Sequence, residues 1–326
     1  MTMLAGIDIG GTKCAVSIGI MEASGKPEIV AKRKFPTPGT PEAAIRALLE
    51  ALDAELARFP AESLAAIGIS CGGPLDSRRG LILSPPNLPG WDAIAITDPF
   101  IRRYGVPAGL QNDANACALA EWTWGAGQGT RNMVFLTFGT GMGAGLILDG
   151  RLYSGTNDQA GEVGHIRLDE EGPAGYGKRG SFEGFCSGGG IAQLARHVVL
   201  RQLAAGAPPD FCRTEAEAEK LTAETVGIAA AAGDPVALEI YRTSARRLGQ
   251  GLALLVDLLN PEKIVVGSIY GRQKAVMEPI VMDVLKEEAL PHSLAVCEVT
   301  EAGLGEQVGD YASLSIAWNI HQRMQP

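Results

Sequence analysis

The sequence predicts an α/β protein of two related domains, and three observations carry that prediction. Residues 6–16 and 133–150 share one layout: an apolar strand, a glycine-rich turn with a threonine, and a second apolar strand. Between and after them, amphipathic helical spacing alternates with short apolar runs. The chain has 326 residues, 46% of them hydrophobic, enough to bury one large core or two medium ones.

The first segment reads Gly6-Ile7-Asp8-Ile9-Gly10-Gly11-Thr12-Lys13. Glycines let the backbone turn with positive φ and bring N–H groups close to an anion, while Thr12 adds a hydroxyl and Lys13 a charge. The Walker A spacing is absent, and a strand rather than a helix follows. A plain hairpin turn would accept the same residues. The second turn, Gly139-Thr140-Gly141-Met142-Gly143, repeats the layout. The repetition favours two phosphate hairpins, with two domains facing each other across a nucleotide.

Residues 41–59 carry Ile45, Leu48, Leu49, Leu52, Leu56 and Phe59 at helical spacing. A strand over 64–70 then runs into Cys71-Gly72-Gly73-Pro74, a turn suited to lie near a ligand. Pro85-Pro86-Asn87-Leu88-Pro89-Gly90-Trp91 forms a rigid loop that buries the tryptophan and presents Asn87, either as a turn cap or as a ligand contact. Gly109-Leu110-Gln111-Asn112-Asp113-Ala114-Asn115 places Asn112 and Asp113 at a strand-to-helix junction, where α/β folds present side chains to a cleft. Either residue could cap the helix. Alternatively, the Asp113 carboxylate faces the cleft as a general base, and the amide beside it fixes a neighbouring hydroxyl. Further on, residues 191–204 are amphipathic, 208–223 read as a solvated loop entering a helix, and 237–259 form a long helix stopped by Asn260-Pro261. A strand to Gly267, a last strand and a helix over 312–324 complete the chain.

Composition narrows the function. The 42 glycines are about twice the usual share of roughly 7% and cluster in turns, as in a loop-built site. A net charge of −9 argues against broad nucleic-acid binding. No stretch is apolar and long enough to cross a membrane, and no export signal is evident, so a cytoplasmic protein is expected. The six cysteines are dispersed without a Cys-x-x-Cys pair and read as small buried side chains.

Together the two hairpins, Gly72-Gly73-Pro74, Pro86-Asn87-Leu88-Pro89-Gly90-Trp91, Asn112-Asp113-Ala114-Asn115 and Ala160-Gly161-Glu162-Val163-Gly164-His165 resemble the ROK family of sugar kinases and sugar-responsive repressors. The matches continue more weakly through residues 260–267 and 303–306. The resemblance implies a two-domain actin-like ATPase fold (ribonuclease H-like) of sugar-kinase type. A smaller first domain would span 1–113, with a helix over 312–326 crossing back to it, and a larger one 114–311. By the same resemblance Asp113 is the catalytic base, and Gly73, Asn87, Asn112, Glu162, His165 and Glu183 bind the sugar. Asp8, Gly10, Gly11, Thr12, Lys13, Gly139, Thr140, Gly141 and Gly267 would surround ATP and Mg²⁺, with Asp8 positioning the metal through its waters. The implied activity is transfer of the γ-phosphate to a hexose hydroxyl, O6 foremost, by a homodimer. A catalytically silent sugar-sensing protein and a different donor such as polyphosphate remain open. Repressors of the family carry a helix-turn-helix before the first hairpin; with five residues ahead of Gly6, none is expected. The identity of the sugar is not written in these motifs.

One departure from the family pattern is specific. Where the family has a histidine and three cysteines around a structural zinc, this chain keeps His165 and Glu183 but has Ala174, Tyr176 and Ser181. No zinc is expected. The loop should instead be held by packing of Tyr176 and Phe182, and His165 is either a sugar contact or a satisfied structural histidine.

Overall fold

The computed structural model describes residues 2–23 and 25–324. Met1, Gln325 and Pro326, at the ends of the expected segments 1–113 and 312–326, lie outside the described residues, as does Ser24. The chain divides into two compact units, one of residues 1–129, 145–160 and 306–326 and one of 130–144 and 161–305. The division therefore falls away from the expected 113/114 boundary, because the helix that follows Asp113 packs within the first unit.

The first unit begins with β1 (Thr2–Ile9), β2 (Lys13–Met21), β3 (Pro27–Pro36), α1 (Pro41–Leu56) and β4 (Ser63–Cys71). Short strands β5 (Leu75–Asp76), β6 (Leu81–Ile82) and β7 (Ile94–Ala95) form a small sheet, and α2 (Thr97–Tyr104), β8 (Ala108–Asn112) and α3 (Asp113–Trp124) follow. The main sheet has the order β3-β2-β1-β4-β8: β1, β2 and β3 pair antiparallel, while β4 lies parallel to both β1 and β8. Helix α1 starts where Thr40 accepts the Ala43 N–H and Pro41 occupies the first turn, and it buries Ala44, Leu48 and Leu52 in the core with Ile7, Ile18 and Ile69.

Strands β9 (Met133–Phe138) and β10 (Met142–Leu148) form the second glycine hairpin, and β10 continues into the first unit, where it pairs with β11 (Arg151–Tyr153). After the hairpin β12 (Ala174–Gly175) and β13 (Lys178–Arg179) come the short α4 (Phe182–Phe185), α5 (Gly188–Ala204), the one-turn α6 (Glu215–Ala218), α7 (Ala223–Ala231) and α8 (Pro235–Leu259). Asp234 caps α8 on two N–H groups, and Asn260 ends it in a left-handed conformation. Then β14 (Lys263–Val266) lies parallel to β9 and to β15 (Glu298–Glu301), with α9 (Ile269–Arg272), α10 (Lys274–Glu288) and α11 (Pro291–Leu294) between the two later strands. Helices α5, α7 and α10 all pack on α8.

The chain ends in α12 (Val308–Arg323), which lies on β1, β4 and β8 and against α3. Its close approach has one cause. Gly6, Gly68 and Gly109 are register partners across the three strands. A Cβ at Gly68 would sit 1.9 Å from the Ser313 carbonyl oxygen, one at Gly6 2.3 Å from Ser313 Oγ, and one at Gly109 2.2 Å from Ile320 Cδ1. A row of hydrogens thus lets the helix backbone rest directly on the sheet.

Candidate functional site

In the first unit, Asp8 sits one residue before the end of β1, and Asp113 opens α3 directly after β8. The choice of helix cap is settled at this junction. Asn112 Oδ1 accepts the Asn115 N–H at 2.7 Å and is the N-cap, whereas Asp113 accepts the next N–H, that of Ala114, at 3.0 Å. The Asp113 carboxylate is therefore not the cap of this helix.

Both carboxylates reach solvent, yet the protein packed around them leaves too little water to stabilise two charges. Burial first, and then repulsion from Asp113, lift Asp8 from 3.8 to about 6, while Lys32 and Lys34 oppose the shift. Burial likewise raises Asp113, partly offset by backbone hydrogen bonds. The adjacent turn is braced by Thr37, whose hydroxyl donates to the Gly10 carbonyl at 2.6 Å and whose N–H donates to Thr12 O at 3.0 Å. Gly10 N–H closes the turn on Lys13 O at 3.0 Å. Gly11 abuts the Asn87 loop so closely that a Cβ there would lie 2.4 Å from Asn87 O. Two residues distant in sequence, Gly11 and Asn87, are thereby brought together. Gly73 faces open space, and Thr12, Lys13 and Asn87 are exposed.

In the second unit, Thr137 Oγ1 accepts the Gly143 N–H at 2.8 Å across the hairpin, and Gly139 O accepts the Gly188 N–H at 2.7 Å. That second bond seats the turn on the start of α5, where Ser187 is the N-cap. Beside it opens a cavity of about 800 Å³, lined by Gly139, Thr140, Gly188 and Gly189 on one side and by Thr222, Glu224, Ser268, Arg272 and Gln273 among others. Its size fits a nucleotide, and the N-terminus of α5 favours an anion. Gly267 and Gly141 do not line it. Gly267 packs on Phe135, and the next residue, Ser268, enters the wall with φ of +54°. The residues that sequence reading missed, from Thr222 to Gln273, come from separate helices; the Gly188-Gly189-Gly190 run after Ser187 was the one local signal.

The loop that lacks the family's cysteines is held differently from expectation. Phe182 is fully buried and its ring lies where a side chain on Gly251 of α8 would stand. Tyr176, by contrast, is 72% exposed with a left-handed φ of +48°, and its ring meets only the edge of His165, centroids 5.0 Å apart. It does not pack the loop. Ser181 does more: its buried Oγ accepts the Gly184 N–H at 3.0 Å and the Gly175 N–H at 3.2 Å, capping α4 and tying β12 to it. Gln193 clamps Ala174 from α5, accepting its N–H at 3.1 Å and donating to its carbonyl at 2.9 Å. His165 and Glu162 are exposed, and Lys178 Nζ donates to the His165 carbonyl at 2.6 Å. Ala174, Tyr176 and Ser181 supply no thiolate, and no group of three or more His, Cys, Asp or Glu able to hold a metal ion occurs among the described residues. Without those thiolates the loop lacks the donor set of a histidine-and-three-cysteine zinc site.

Comparison with known proteins extends these observations. A glucokinase of Streptomyces coelicolor is 32% identical over 97% of this chain and 98% of its own length. An N-acetylmannosamine kinase of Shigella flexneri is 34% identical over 90% of the chain and 91% of its own. Among solved structures, a ROK family glucokinase from Streptomyces griseus in complex with glucose and AMPPNP superimposes with a TM-score of 0.71 at 29% identity, covering 97% and 99% of the two chains. This likeness carries the two-domain actin-like, sugar-kinase type of fold. The model of the family described as ROK matches residues 4–317, a span that takes in both glycine turns, the Asn112–Asp113 junction and the Glu183 loop, and the chain belongs to the ROK family.

Proposed function

We propose that this chain is an ATP-dependent sugar kinase that transfers the γ-phosphate of ATP to a hexose or hexose derivative, at O6, with Asp113 as general base. The observation that carries the reading is the Asp113 carboxylate, spared from capping by Asn112 and raised by its surroundings. A carboxylate moved toward neutrality is a better proton acceptor at working pH. Asp113 would take the hydroxyl proton as the sugar oxygen attacks the γ-phosphorus, and ADP would leave with the bond electrons. Gly73, Asn87, Asn112, Glu162, His165 and Glu183 would hold the sugar. Gly10, Gly11, Thr12, Lys13, Gly139, Thr140, Gly141 and Gly267 would surround the nucleotide, its base and ribose in the second unit's cavity. Asp8 would hold Mg²⁺ through its waters, and the ion, when bound, neutralises charge on the phosphates. The Streptomyces griseus neighbour, holding both glucose and AMPPNP, supports the pairing of sugar with ATP. No helix among the described residues is long and apolar enough to cross a membrane, and the reading is of a cytoplasmic homodimer.

The test is a coupled ADP-release assay over a panel of hexoses, amino sugars and N-acetylhexosamines. At least one should be phosphorylated, and Asp113→Asn should lower its kcat roughly 10²–10⁴-fold while sugar and ATP binding stay within a few-fold. Undiminished turnover in Asp113→Asn removes the base assignment. Sugar binding without ADP release from any sugar would favour a silent sensor.

A further inference from the structure

A second cavity, of about 810 Å³, lies within the first unit, away from both glycine turns in its lining residues. Its wall is formed by the loop after β5, by β11 and the loop that follows it, by β8, and by the end of α12. Four arginines line it: Arg78, Arg79, Arg151 and Arg323. In a chain of net charge −9 such a concentration of cations is unusual, and its balance decides what could enter.

Two carboxylates share the wall, and both are engaged. Asp158, buried and held at φ of +61°, accepts the Ser77 N–H at 2.8 Å and the Ser77 hydroxyl at 2.7 Å, locking the 76–79 and 154–158 loops together. Asp76 accepts the Arg79 N–H at 2.9 Å and faces its guanidinium at 3.8 Å. Arg78, Arg151 and Arg323 have no carboxylate partner among the described residues. Guanidinium groups without a carboxylate partner recognise phosphate through paired N–H bonds, and three of them line this cavity. Around them Gln111, Ser154, Thr156 and Asn157 offer hydroxyls and amides, and Tyr153, half exposed, offers an aromatic face. The volume suits a small molecule rather than a protein segment.

We propose that this cavity is a second ligand site that binds a small organic phosphate with a polar, sugar-like body. The site adjoins the two elements that flank Asp113. Gln111 lies on its wall and accepts the Asn115 side-chain N–H at 3.2 Å, while Leu119 of the same helix, α3, also lines it. A ligand drawn against Gln111 and Leu119 touches the strand and the helix that hold Asp113.

Glucose 6-phosphate is the probe, with inorganic phosphate beside it, and the readout is hydrogen exchange of the whole protein at increasing probe concentration. Glucose 6-phosphate should protect residues 75–79 and 151–158, and more weakly so with phosphate alone. In Arg151→Ala/Arg323→Ala the half-saturating concentration should rise by roughly tenfold or more, the loss expected for charge-assisted forks. Arg78→Ala, at an exposed position, repeats the test where the double variant fails to fold. Protection confined to residues 139–143 and 160–183, or an unchanged dose response in the arginine variants, overturns the proposal. Binding is read independently of turnover, so failure here leaves the kinase reading standing.

Discussion

The Glu183 carboxylate accepts the Met142 backbone N–H at 3.0 Å, which ties the first turn of α4 to the second glycine turn. The tie depends on Gly141, since a Cβ there would come within 2.9 Å of the same oxygen. Oε2 is committed to the turn, and Oε1 has no partner among the described residues. Under the proposed sugar-binding role Oε1 would face the sugar, and Glu183→Ala tests that role against the bracing of the turn. Loss of a charged hydrogen bond to a sugar hydroxyl costs about 1.5–3 kcal/mol, so the sugar KM should rise roughly 10–100-fold. The nucleotide KM should rise less, because the turn also keeps the Thr137 and Gly188 bonds. Steady-state kinetics with each substrate varied checks this; equal rises would mean that Glu183 only braces the turn.

Asp8 gives a prediction in pH. Burial, and after it repulsion from Asp113, pushes its carboxyl up to about 6 in the folded protein, above the ordinary 3.8. As pH rises from about 4 to 6 the unfolded chain sheds this proton first, so folding stability falls across that window and the deficit persists above it. Asp8→Asn should therefore raise Tm at pH 7.5 and leave it nearly unchanged at pH 4, in thermal melts across that range. If Asp8 holds Mg²⁺ as proposed, activity should move oppositely: kcat/KM of the unsubstituted protein should drop below pH about 6, where a neutral Asp8 would no longer attract the ion, and Asp8→Asn should be poorly active throughout. A pH-independent difference in Tm would remove the argument.

Both glycine hairpins and the Asn112–Asp113 junction were legible in the sequence because each is contiguous and its chemistry lies in neighbouring residues. Other elements were hidden for physical reasons. Strand β3 reads Pro27-Glu28-Ile29-Val30-Ala31-Lys32-Arg33-Lys34-Phe35-Pro36 and resembles a solvated stretch, since as the outer strand of its sheet it carries the charges that guard an edge. The glycine row of Gly6, Gly68 and Gly109 has no meaning until register aligns three strands separated by long intervals. Tyr176 and Ser181 were both visible as replacements for cysteine, but which of them holds the loop depends on direction. Tyr176 points to solvent and Ser181 points inward onto two N–H groups.

The glycine row predicts the outcome of Gly68→Ala. The new methyl would need the space of the Ser313 carbonyl oxygen, 1.9 Å away, and of the Ala317 nitrogen, 2.6 Å away. Backbone cannot step aside as a side chain does, so α12 must lift from the sheet, at a cost at or above the 1–3 kcal/mol typical of overpacking. Tm should fall by several degrees, and exchange of α12 amides should accelerate more than that of α1. Gly72→Ala, where nothing lies within 4 Å of the added carbon, is the control and should melt close to the unsubstituted protein.

Ser181 is buried and its hydroxyl accepts the N–H groups of Gly175 and Gly184, so Ser181→Ala leaves two donors without an acceptor in a dry site. Loss of an N-cap costs about 0.5–2 kcal/mol, and the second orphaned N–H adds to it. Because α4 carries Glu183 in its first turn, the same change should raise the sugar KM while leaving the nucleotide KM within a few-fold. Ser181→Thr retains the hydroxyl and should recover part of the loss where its methyl is accommodated. If the hydroxyl has taken over the loop, metal is irrelevant to it. The purified protein should contain far less than one zinc per chain by elemental analysis, and a chelator should leave its Tm unmoved. Stoichiometric zinc, or a Ser181→Ala protein that melts and binds sugar as the unsubstituted one does, would show that something other than Ser181 holds β12 against α4.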